Sequence, residues 1–441
     1  MIRQINREKV LVLLKTAYIF LLGFFLCQDI FTVFSYGSTS FNISFFWIIP
    51  GIVFVLVKRR KRIPEYVFNL PSFFIMFLGS LFISCLIGLF YIQSFDNALT
   101  IFKSLIYFFI ASFCPLIAGF LFCNNKYLFY GLFFGFVLNF VLSFLAFLSF
   151  SFIGFPLTLK DLFVNNYFYS PNYFFRSQGL FLEPSYMTCF VLVYFYILFW
   201  FFKNKIIRML LEIMALFLFL TSGSGNFAVF LISQIVMMVF IFKNGGFLRF
   251  KNMFFKTKTS RTIFAISIVT ICLGLIAIAV FPLRNKMLSF LDGINPTSKE
   301  NSERFVGMQL GLLLFLKNPW GVGFGMSGTL LLRLYGDNTN GSTYNYLIKV
   351  MAEQGLLGVI LFLGFFGTVV YHLDKKKYND ESFLLLISVF AVFIVSFLTG
   401  SFGPASWAAI GLFFAVTKHN NSFKVIMNKR AKKEHFYTVE I

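Results

Sequence analysis

The sequence predicts an all-α, polytopic membrane protein of about twelve transmembrane helices with two larger outer loops. Three observations predict it. Hydrophobic residues make up 59% of the 441-residue chain and charged residues only 12%, more apolar surface than a soluble chain of this size covers. The apolar residues fall into runs close to the length that crosses a bilayer. The basic residues, which set a net charge of +21, gather at the ends of alternate runs, as they do in membrane proteins. Phenylalanine alone accounts for 70 residues, an excess that carries no functional reading.

The runs give approximate spans at 10–27, 41–57, 70–92, 100–123, 128–152, 184–202, 206–222, 226–242, 262–282, 344–371, 383–400 and 404–417. The first is long for a signal-peptide core and has no small-x-small cleavage site after it, so it is expected to be retained. With the N-terminus inside, 27 of the 38 basic residues fall in inner segments. Among them are the Lys58–Arg62 cluster, the Lys375–Lys377 run and the basic tail. Eight fall in outer segments, and Lys15, Lys103 and Lys349 fall within spans. This asymmetry puts both termini in the cytoplasm.

The whole chain, 1–441, reads as one integral membrane domain with two long outer segments, 154–183 and 283–343. Long connections without a repeat tend to carry function. Within the second, the apolar stretch Phe305–Leu316 is too short to span a bilayer. It is expected to be a helix at the outer interface or packed on the bundle, with Ser302 as its cap.

Several function classes lose ground. The basic runs flank spans and show no nucleic-acid module, so no nucleic-acid partner is expected. The six cysteines lie in or beside apolar runs without a CxxC, and read as small hydrophobes. His372, His419 and His435 all fall in inner segments, so neither a metal site nor an outward catalytic histidine is expected. Gly323–Gly328 matches GxGxxG, but no strand precedes it and no βαβ unit surrounds it, so it is not read as a dinucleotide site.

The chemistry-bearing stretch is RSQGLFLEPSY, Arg176–Tyr186. A residue before proline is pushed out of the helical region and proline suits a first helical turn, so a helix is expected to start at Pro184 with Glu183 at its cap. Glu183 either caps that helix or also serves as a general base; the two roles are compatible. Arg176 suits a phosphate bound by paired hydrogen bonds, or a lipid headgroup. Gly179 between them permits a turn or close approach of another chain. Arg304 is the second outer arginine of interest, with Arg284, Lys286, Lys299, Lys317 and Arg333 as further outer cations. Asn345, Lys349 and Glu353 are spaced by four on one helix face. An internal Lys349–Glu353 ion pair is at least as good a reading of Glu353 as a catalytic one. Gly355 and Gly358 are expected to permit close helix packing. Thr221–Asn226 reads as a helical-hairpin turn, and Glu212 is expected to pair with Arg208.

Four stretches resemble the bacterial O-antigen polymerase and ligase superfamily, specifically Wzy-type polysaccharide polymerases. Arg176–Met187 resembles R-x-x-G-x-F-x-E-P; Thr221–Gly225 resembles T-x-S-R-G, with Gly225 where arginine often stands. Ser302–Gly325 resembles an S-x-x-R helix followed by P-x-G-x-G. Ser342–Gly358 resembles H-N-x-x-L…E-x-G-x-x-G, with Tyr344 where histidine often stands. The resemblance implies glycosyl transfer from an undecaprenyl-diphosphate-linked oligosaccharide to the nonreducing end of another repeat, at the outer face of the cytoplasmic membrane. It implies no metal and no cofactor, a lipid-linked oligosaccharide as substrate, and a chain-length regulator as a candidate partner. Arg176, Glu183 and Arg304 would be the catalytic set, with Gly179, Tyr344, Asn345 and Arg333 binding substrate. The departures at Gly225 and Tyr344 bear against mechanisms that need those two positions. A ligase acting on another acceptor, a lipid-linked-sugar flippase and a structural partner of an envelope complex remain alternatives.

Overall fold

The computed structural model describes residues 2–28, 32–36, 39–58, 72–91, 95–122, 125–153, 179–181, 184–202, 204–222, 299–335 and 343–374, with shorter pieces within 230–234, 385–394 and 405–415. The described chain is a bundle of helices. In order they are α1 (Ile2–Phe25), α2 (Ile43–Lys58), α3 (Ser72–Tyr91), α4 (Phe95–Phe108), α5 (Cys114–Phe122), α6 (Lys126–Ile153), α7 (Pro184–Phe201), α8 (Lys205–Ser222), α9 (Lys299–Lys317), α10 (Ser327–Tyr335) and α11 (Tyr346–Asp374). A two-stranded antiparallel hairpin, β1 (Thr32–Tyr36) and β2 (Thr39–Asn42), joins α1 to α2. The apolar run from 41 hides that hairpin, because its last strand and the next helix share one hydrophobic stretch.

The chain is a membrane protein by its apolar helices. Ala98–Phe122, Lys126–Ser149 and Tyr346–Thr368 are long and apolar enough to cross a bilayer. Val10–Phe25, Phe74–Phe90, Tyr186–Phe201 and Phe305–Lys317 are shorter apolar helices. The expected span at 262–282 lies outside the described residues, that at 226–242 largely so and that at 383–400 by half, as does most of the first long loop.

α4 and α5 are one helix with a π turn, Phe109–Phe113, between them. Pro115 follows directly and has no N–H for the Ala111 carbonyl. The wider turn, closed by Cys114 N–H on the Phe109 carbonyl, carries the helix past that gap.

Glycines set the helix contacts. α1 lies along α6 with Gly23 beside Leu128 and Leu132, and with Cys27 beside Gly135, so both chains advance together and the helices run parallel. α3 and α11 run antiparallel: Phe74 packs on Phe365 and Phe77 on Phe362, while Ser84 reaches Glu353. α7 is the most enclosed helix. From Phe190 to Leu198 every side chain is at most 2% exposed, as expected of a helix that is apolar all round. Arg208 fastens α8 to the end of α7, its Nε donating to the Phe199 and Phe202 carbonyls at 3.0 and 2.7 Å.

The described part of the second long segment, 299–335, holds two helices. Its first helix starts at Lys299, so Ser302 lies inside the first turn and is not the cap. It runs 19 residues and packs against α11, and a second helix, α10, follows. Cys27, Cys85, Cys114 and Cys189 are buried free thiols, as their apolar setting implied.

A Cβ at Gly131 would press on the Phe20 carbonyl and lie 3.0 Å from Phe24 N. Gly131→Leu should therefore destabilise the bundle by about 1–3 kcal/mol through overpacking. Thermal unfolding in detergent measures it; an unchanged midpoint would mean the two helices do not meet there.

Candidate functional site

Two junctions of irregular backbone hold the stretches that carry the sequence motifs. The first is the corner Gly179–Phe181. Gly179 has φ +55° and is buried. A Cβ there would collide with Asn139 Oδ1, which sits on α6. The Leu180 N–H donates to that oxygen at 2.7 Å. Asn139 Nδ2 in turn donates to the Gly135 carbonyl at 2.8 Å and to the Cys27 carbonyl, just past the end of α1, at 3.0 Å. Phe181 packs on Phe190, with ring centroids 5.6 Å apart. The next described residue is Pro184, where α7 starts as proline's fixed φ and missing N–H predict. Arg176 and Glu183 themselves lie outside the described residues.

The second junction joins the turn 318–326 to a break in α11. Gly355 has φ 69° and ψ −162°, a region open in practice only to glycine. The break releases the backbone groups around it from their helical partners. The turn takes them up: Val322 N–H donates to the Ala352 carbonyl at 2.9 Å and Gly323 N–H to the Glu353 carbonyl at 3.1 Å. In return Leu356 N–H donates to the Pro319 carbonyl at 2.9 Å. Gly355 therefore serves a helix break and a docked loop, rather than the helix-on-helix packing expected of it. Gly323 also lies on Gly88 of α3, and Gly325 on Ser104 of α4. Phe324 meets the Phe108 ring edge-on at 5.7 Å.

Side chains complete this junction. Ser84 Oγ donates to the Glu353 carbonyl at 2.6 Å, and Ser327 Oγ donates to Glu353 Oε1 at 2.6 Å. Glu353 is only 2% exposed. Among the described residues no ion pair joins it to Lys349; the carboxylate is held instead by a serine from α10. Ser80 Oγ lies 3.1 Å from Gln354 Oε1.

Asn345 is the N-cap of α11. Its Oδ1 accepts the Ile348 N–H at 3.1 Å, and it is 7% exposed. Tyr344 before it has φ 51°, which L residues rarely adopt. α9 crosses here: a Cβ on Gly311 would lie 2.7 Å from Ile348 Cγ2 and 3.1 Å from Thr343 Cγ2. Gly307, Gly311 and Leu314 lie on the face that α9 turns to the bundle. The Arg304 side chain lies outside the described residues, and Arg333 is exposed on α10.

The contacts locate each junction. α1 and α6 are parallel, and the end of α1, with the Gly179 corner beside it, lies against the middle of α6 at Gly135 and Asn139. The second junction lies at the end of α3, against which α4 packs. Gly88, one turn from the end of α3, touches the 318–326 turn.

Asn139, Ser84 and Ser327 carry no motif and were not singled out from sequence. For Asn139 and Ser84 the available signal is a polar side chain within an apolar helix, which must find a partner; Ser327 opens α10. Among the described residues no group of His, Cys, Asp and Glu could hold a metal ion. No family model matches the chain, and no curated protein matches it either.

Ser327→Ala would leave the buried Glu353 carboxylate without this donor, at a cost of about 1–3 kcal/mol. Gly355→Ala should cost at least as much, from a conformation worth about 1–3 kcal/mol in strain together with the clash on Pro319 and Trp320. Melting in detergent checks both, and a loss under about 0.5 kcal/mol for either, the size of an ordinary surface change, would rule out the junction as drawn.

Proposed function

We propose that this chain polymerises undecaprenyl-diphosphate-linked oligosaccharide repeats as a Wzy-type polysaccharide polymerase. In this reading about twelve helices cross the cytoplasmic membrane. Both termini are cytoplasmic and both junctions face outward. The single observation that supports it most is that two of the motif stretches form one joint: the P-x-G-x-G turn docks on the E-x-G break of α11 through three backbone hydrogen bonds. The directions of α1 with α6 and of α3 with α11 agree with their places as first, fifth, third and tenth crossings. Trp320 beside this turn is 76% exposed, as suits an aromatic ring at a membrane–water interface.

The reaction needs few groups. The nonreducing-end hydroxyl of an incoming repeat attacks the anomeric carbon that links the growing chain to its lipid diphosphate. A new glycosidic C–O bond forms as the bond from that carbon to the diphosphate oxygen breaks. The hydroxyl proton passes to Glu183, and undecaprenyl diphosphate leaves with the electron pair. Arg176 and Arg304 offset the charge that grows on the leaving diphosphate. Gly179, Tyr344, Asn345 and Arg333 contribute to the substrate surface. Asn345 does so while its side-chain oxygen caps α11.

Purified protein given lipid-linked repeats should build a ladder of glycan lengths. Transfer only to a foreign acceptor would mark a ligase, and movement of repeats across vesicles without new glycosidic bonds would mark a flippase. Arg176→Ala should reduce ladder formation by about 10²-fold or more, the scale seen when one group stabilising a developing charge is removed. Membrane insertion should persist, and near-normal glycan length in that variant would refute the assigned role.

A further inference from the structure

We propose that Asn139 is a positioning residue: its carboxamide sets the place of the Gly179–Phe181 corner, the described part of the stretch to which the proposed reaction is assigned. What the corner does rests on the polymerase reading; the joint itself rests on geometry. Asn139 is 0% exposed, midway along an apolar helix. Such a group is retained only where its hydrogen bonds are met. Both of its amide hydrogens are engaged, and its oxygen takes the Leu180 N–H.

Two of the three backbone groups it serves have no place in a helix ladder. The Cys27 carbonyl lies beyond the end of α1, and the Leu180 N–H lies in a turn. One side chain therefore ties three segments: the end of α1, the middle of α6 and the corner. Glycine at 179 is what lets the corner approach so closely. Arg176 stands three residues before Gly179, and Glu183 three after Leu180. The opposing possibility is that Asn139 merely staples α1 to α6, with the corner resting beside it.

Two variants separate these roles. Asn139→Ala removes all three bonds. Gly179→Ala displaces the corner but leaves the bonds to Cys27 and Gly135 in place. Hydrogen exchange of the full-length protein in detergent reads the Leu180 amide directly. Both variants should speed its exchange by about tenfold or more, as the loss of one buried hydrogen bond predicts. Both should also slow glycan transfer by about tenfold or more, the consequence of misplacing a reacting group by about an ångström. Tyr194→Phe is the control. It loses a bond to the Ala405 carbonyl, 2.8 Å long, keeps the ring that packs on Phe190, and touches none of the three bonds that Asn139 makes. At a comparable drop in melting midpoint it should change neither readout. Unaltered Leu180 protection in both variants would overturn the proposal, as would a loss of transfer that Tyr194→Phe reproduces. Should the wild-type protein transfer no glycan, the polymerase reading fails and the exchange measurement alone decides the tie at Asn139.

Discussion

The structure depends on an exchange of backbone hydrogen bonds at Gly355. A helix within a bilayer satisfies its own polar groups, and a break in it is tolerated only where other groups replace the lost partners. Here the replacement is reciprocal. Ala352 and Glu353 lend their carbonyls to Val322 and Gly323, and Leu356 N–H is taken by Pro319. The break and the turn each supply what the other lacks, so neither conformation stands without the other. That coupling fixes the end of α9, the start of α10 and the course of α11 in one joint. It explains the crowding of small residues there: Gly88, Gly321, Gly323, Gly325 and Gly355 all lie where a Cβ would strike a neighbour.

The Gly179 corner solves the same problem by other means. It has no broken helix to pair with, so a side chain stands in. Asn139 plays toward Leu180 the part that the α11 carbonyls play toward the turn. The corner also leads straight into α7, whose middle is sealed on every side. Phe181 also packs on Phe190 of that enclosed helix. That is a suitable base for groups which, in the proposed reaction, must hold a diphosphate and accept a proton at fixed positions.

Much of this was legible in sequence, and the reason differs from element to element. The start of α7 followed from Pro184 alone, because proline's φ and missing N–H act locally. The long helices α4–α5, α6 and α11 followed from unbroken apolar length. The hairpin at Thr32–Asn42 did not, since Thr, Val, Phe and Tyr at a span boundary read equally well as helix. Gly355 was recognised as special but given the wrong task. A glycine in an apolar run looks the same whether a helix or a loop comes close, and only the partner, 32–36 residues earlier in the chain at Pro319–Gly323, tells them apart. Glu353 was likewise assigned to Lys349 by i, i+4 spacing, whereas Ser327, from another helix, lies 2.6 Å away. Local spacing carries no information about contacts between helices.

The burial of Glu353 bears on where the proposed chemistry sits. A general base must reach a substrate hydroxyl within hydrogen-bonding distance. Glu353 is 2% exposed, and its carboxylate is engaged by Ser327 beneath the docked turn. Its burial and its bond to Ser327 suit a structural pin. Its E-x-G neighbourhood then matters because Gly355 shapes the backbone, and Glu353 locks α10 onto the resulting joint. Asn139, equally sealed, falls on the same side of the division. Both junctions thus place their buried polar groups in structural service. The proposed reaction is assigned to other groups, those of Arg176, Glu183 and Arg304, whose side chains lie outside the described residues.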